Sequence, residues 1–155
     1  MESMRTAPTY SKRMLPPPTW SSTFTAFAIS AVASLAVNTL IALVARGLFT
    51  VPPAFTPLTA RAYGPLTVIG VLAGALSWRL VVRRARHPAV TLRRLVPAVV
   101  LLSFIPDAQL LVAGPEPRST AGILALMTMH LAIAAIAVPT FQRLMPAISG
   151  GYDQT

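Results

Sequence analysis

Leu124-Ala-Leu-Met-Thr-Met-His130-Leu-Ala-Ile-Ala-Ala-Ile-Ala-Val-Pro139 is the stretch whose reading decides the fold. Extended upstream to Ser119, it gives an apolar run ending near Val138, close to the ~20 residues that an α-helix needs to cross the hydrocarbon of a bilayer. His130, its strongly polar member, sits near the middle. Three similar runs precede it, at about 24–45, 63–82 and 95–113. The expected fold is therefore all-α, an integral membrane four-helix bundle over residues 22–143. A disordered, proline-containing cytoplasmic tail is expected at 1–21 and a short cytoplasmic tail at 144–155.

Composition supports the same class. The chain is 54% hydrophobic and 11% charged, too few charges to clothe a soluble domain of 155 residues. The net charge of +9 has a topological source rather than a nucleic-acid one, since the basic residues form no helix face interleaved with aromatics. There is no cysteine, which excludes disulfides, thiolate nucleophiles and iron–sulfur clusters. With only His87 and His130 as imidazoles, neither a metal site nor another cofactor is expected. Met127 and Met129 read as packing residues, and His87 as a solvated loop residue. A secretory signal at the N-terminus is disfavoured because the apolar run continues to Ala45, beyond the length of a signal core.

Topology follows from arginine placement. The N-terminal tail, the loop between the second and third runs, and the C-terminal tail hold ten of the thirteen Lys and Arg residues. Arg46, Arg61 and Arg118 occupy the other two loops. The positive-inside rule then puts both termini and the basic loop in the cytoplasm, with the inner (plasma) membrane as the expected location. Arg83, Arg84, Arg86, Arg93 and Arg94 of that loop are expected to meet anionic lipid headgroups.

Within the first run Ala26, Ser30, Ser34 and Asn38 recur every fourth position, so they share one helix face on which small residues let backbones approach closely. Gly70 and Gly74 make a Gly-x-x-x-Gly close-packing pattern in the second run, more for neighbours in the same chain than for a second copy. Pro106 lies inside the third run and should kink it, and Asp107 follows directly. Pro139 marks the end of the fourth. At ~1.5 Å rise per residue, Asp107, Asn38 and His130 lie roughly 9, 12 and 18 Å below the outer ends of their runs. This ladder is the candidate intramembrane polar site. An aspartate and a histidine make a proton-relay composition, yet ~9 Å of depth separates them, too much for direct contact without a kink, tilt or bridging water. The alternative reading of Asn38 and His130 is interhelical hydrogen bonding that fixes packing register.

No Gly-x-Ser-x-Gly elbow, phosphate-binding Gly-rich loop or His-Glu-x-x-His motif occurs, so no catalytic residue is assigned. Ser103-Phe-Ile-Pro-Asp107 and the Met-x-His-plus-alanine run of 127–139 carry a resemblance. Over about residues 24–143 the chain resembles a family of small bacterial four-span membrane proteins, domain of unknown function 6069. The resemblance implies four spans and no assigned activity. The expected function is that of a non-enzymatic accessory or scaffold component, with a membrane-protein partner or a second copy as possible companions. The alternative is a small transporter, channel or proton-coupled sensor with an outward-facing cavity lined by Asp107, Asn38 and His130.

Overall fold

A computed structural model describes residues 17–114 and 116–147; the remainder of the expected tails, 1–16 and 148–155, lies outside the described residues. Four helices make up the described fold: α1 (Trp20–Leu48), α2 (Ala60–Arg84), α3 (Pro88–Ala113) and α4 (Thr120–Leu144), with a 3₁₀ turn at Thr56–Leu58 between α1 and α2. All four are long and apolar enough to cross a membrane. The 29 residues of α1 span ~43 Å, more than a ~30 Å hydrocarbon core, so its ends reach the headgroup layers.

Local chemistry sets the boundaries. Thr19 caps α1, its Oγ1 accepting from Ser22 N–H at 3.1 Å, and Ser119 caps α4 by accepting from Gly122 N–H at 3.0 Å. Pro88 opens α3 in the first turn, where the missing N–H costs nothing. Two boundaries depart from expectation. The third helix begins at Pro88 rather than near Leu95, and Arg93 and Arg94 are exposed on its second turn, where long side chains can carry their charge away from an apolar surface. The fourth runs through Pro139 to Leu144, since a membrane helix absorbs one lost backbone bond. The basic loop accordingly shrinks to residues 85–87. Arg83 and Arg84 sit in the last turn of α2, where they also favour the helix dipole.

The helices pack in sequence as an up-down-up-down ring. α1 against α4 is the most extensive interface, and α2 touches α4 across the diagonal. Two apolar clusters fill the interior. One, at the arginine-rich end, is built around Val71, Ala75, Trp78, Phe141 and Met145. The other, at the opposite end, gathers Phe55, Leu58, Ile123, Leu126 and Met129. Its lid is Phe55 from the α1–α2 connection, whose ring lies where a Cβ on Gly122 would come within 2.6 Å. That close approach requires a glycine. Arg46 fastens the same connection by donating to the carbonyls of Phe55 and Leu58 at 3.3 and 3.4 Å.

Burial is uneven. α1 buries Ala26, Ser30, Ser34, Asn38, Ala42 and Ala45 along one face. α3 buries only Pro88, Leu92 and Asp107. In its half farther from the arginines, Asp107 is thus the one buried residue.

Candidate functional site

Asp107 and His130 meet. His130 Nδ1 lies 3.1 Å from Asp107 Oδ2 and 3.0 Å from the carbonyl oxygen of Leu126, one turn back on its own helix. The Asp107 side chain is 10% exposed and that of His130 34%. The aligned hydrogen bond runs to Leu126, and Asp107 Oδ2 accepts none of good geometry. The Asp107–His130 contact is therefore a close ion-pair distance with the imidazole nitrogen poised between two acceptors. Phe104, one turn before Asp107 on α3, packs its ring edge-on to the imidazole, with centroids 6.2 Å apart at 84°.

The ~9 Å difference in depth, which left direct contact to a kink, tilt or bridging water, is closed to 3.1 Å, and side-chain direction accounts for part of it. Side chains on an α-helix lean toward its N-terminus. α3 and α4 run in opposite directions, so Asp107 leans toward the arginine-rich end and His130 toward the other. Each lean closes part of the gap that a count of helix rises leaves open.

Asn38 does not join them by hydrogen bonding. Its Nδ2 donates to Thr67 Oγ1 on α2 at 2.9 Å, and its Oδ1 is buried without a partner. Ser30 and Ser34, one and two turns along the same face, are fully buried, and their hydroxyls also lack partners. Ser30, Ser34 and Asn38 therefore form a buried polar stripe along α1, joined to α2 at Thr67. Thr67 was not marked by sequence reasoning. Its signal is the four-residue spacing of Tyr63, Thr67, Val71 and Ala75, all buried.

The two glycines of the Gly-x-x-x-Gly pattern differ. Gly70 is exposed, with nothing within 4 Å of an added Cβ, and Gly74 meets only the Phe141 ring at 3.6 Å. α2 buries Thr67, Val71, Ala75 and Trp78. His87 precedes α3 at its first turn, and Arg86 lies beside it in the short connection. Among the described residues no three His, Asp or Glu side chains cluster as a metal site would need.

The arrangement supplies one ionisable pair at a helix–helix contact and one uncharged polar stripe. An imidazole facing a carboxylate can be neutral or protonated, which gives the contact two charge states. The model of a family of unknown function (DUF6069) matches residues 16–147. No curated protein and no solved structure matches the chain.

Proposed function

Because the chain belongs to that family of unknown function, which assigns no chemistry, we propose from its own geometry that it is a non-enzymatic accessory membrane protein with a proton-responsive joint between α3 and α4. It sits in the plasma membrane with both termini in the cytoplasm. The observation that carries this reading is the 3.1 Å approach of His130 to Asp107 on a helix that buries almost nothing else nearby. In lipid there is no hydrophobic force to press helices together, so close packing and polar contacts decide whether they dock. With so little of α3 packed, the charge state of one pair sets how firmly that helix is held.

The sign follows from the chemistry. A neutral imidazole beside a carboxylate has one ionised partner only, whereas an imidazolium adds the opposite charge and makes the contact an ion pair. Acidification that charges His130 tightens the joint. The polar stripe at Asn38 is closed by Thr67, which favours a joint over a channel lined by all three residues.

The natural chain has no cysteine, so spin labels at Leu111→Cys and Leu124→Cys, both on exposed sites of α3 and α4, are unambiguous. In vesicles the label–label distance distribution should narrow as pH falls through the neutral range. In Asp107→Asn it should stay broad at every pH. Identical pH behaviour of the two proteins would remove the basis for the joint. Tags at either terminus should be reachable only from the cytoplasmic side.

A further inference from the structure

A buried arginine at the other end of the bundle has no place in this joint. Arg79 lies on α2 one turn before Arg83, and only 6% of it is exposed. Its Nη1 donates to the Pro18 carbonyl at 2.6 Å and to Thr23 Oγ1 at 3.1 Å. Its guanidinium carbon stands 4.1 Å from the centre of the Trp20 ring, which is itself 67% exposed. These contacts fix the plane of the fork and hold the start of α1 against α2.

They do not balance its charge. Both Nη1 partners are neutral oxygens. Among the described residues the carboxylates are Asp107 and Glu116, which pair with His130 and Arg118 toward the opposite end. The nearest formal charge on α2 is Arg83, of the same sign. Nε and Nη2 have no hydrogen-bond partner among the described residues, and neither atom is fully enclosed. A guanidinium with two nitrogens left unbonded, beside a second arginine and an exposed indole, suits a phosphodiester.

We propose that Arg79, framed by Trp20 and seconded by Arg83, binds the phosphate of one anionic phospholipid at the junction of α1 and α2. This goes beyond diffuse attraction between a basic loop and a charged leaflet. It names a discrete site, one turn inside that loop, where a lipid would tie α1 to α2. The phosphate is the recognised group, and the membrane is its source.

The test uses the full chain in mild detergent, titrated with phosphatidylglycerol, phosphatidylcholine or inorganic phosphate. Bound lipid is read by native mass spectrometry and thermal stability by unfolding. The natural chain should retain one phosphatidylglycerol and unfold at a higher temperature in its presence. Arg79→Gln should bind it about tenfold more weakly, as expected for losing hydrogen bonds to a charged group. Arg84→Gln, at the end of the helix, should keep the adduct. If Arg79→Gln does not fold, Arg79→Lys carries the comparison, since it keeps the charge but loses the fork and should still bind several-fold more weakly. Equal retention by the natural chain and the Arg79 variants overturns the site, as does equal stabilisation by inorganic phosphate or by phosphatidylcholine.

Discussion

Asp107→Leu separates two effects that the natural residue combines. In a lipid-facing helix an aspartate costs about 2.5–3.5 kcal/mol at the centre of a span, whereas a leucine is favourable by about 0.3–0.6 kcal/mol. Asp107 lies six residues before the end of α3, roughly 9 Å inside it, where the penalty is below its central value. The substitution should therefore ease insertion of α3 by about 2–3 kcal/mol. Against this stands the lost contact with His130. Interhelical polar contacts in membrane proteins average about 0.6 kcal/mol and reach about 1.7 kcal/mol. This pair belongs in the upper half of that range, because both partners are ionisable and the carboxylate is largely covered. Docking of α3 should weaken by about 1 kcal/mol, a roughly fivefold fall in the docked-to-undocked ratio. An insertion assay on the α3 segment measures the first effect. The distance distribution between spin labels at Leu111→Cys and Leu124→Cys, in the full chain, measures the second. A variant that inserts more readily and keeps its parent's label–label distances would falsify the joint.

Other substitutions probe the frame around that pair. Gly122→Ala places a methyl against the buried Phe55 ring and should lower stability by about 1–3 kcal/mol, whereas exposed Gly70→Ala should be neutral or stabilising; thermal unfolding in detergent compares them. Asn38→Leu and Thr67→Val remove the two halves of one hydrogen bond, so a double-mutant cycle should return a coupling of about 0.6 kcal/mol, and additive losses would deny the contact. Trp78→Phe strips the N–H that Met145 O accepts at 2.9 Å, leaving a buried carbonyl unpaired at a cost of about 1–3 kcal/mol in the same unfolding assay.

The four helices were legible because lipid demands a nearly continuous apolar run, and that demand leaves a mark in every residue of a span. The face of α1 was legible for a related reason. Ala26, Ser30, Ser34 and Asn38 differ from their neighbours in size or polarity, so their four-residue period stands out. On α2 the same cue is only partly informative, because Gly70 is exposed, Gly74 meets the Phe141 ring, and the buried face is made of Thr67, Val71, Ala75 and Trp78. In a helix that is apolar all round, nothing in hydropathy separates the lipid side from the protein side. Pro139 looked like an end since proline breaks soluble helices, yet α4 continues five residues beyond it. The Asp107–His130 contact was hidden by treating depth as a property of the backbone alone. Opposed side-chain lean makes it a property of the pair. The burial of Arg79 has a sequence signal, since it lies within Leu76-Ser-Trp-Arg79-Leu-Val-Val82, an apolar setting that a solvated charge would avoid.

The near-naked helix α3 has a consequence for how the polypeptide is made. Ribosomes add about 5–20 residues per second, and His130 is encoded twenty-three positions after Asp107. For roughly 1–5 s the acid has been synthesised while its imidazole has not. During that interval the nascent product holds three spans and a carboxyl group with no mate in its own polypeptide. A translation product halted before codon 130 would remain in that condition indefinitely, chemically distinct from a finished copy at the position where the two helices join.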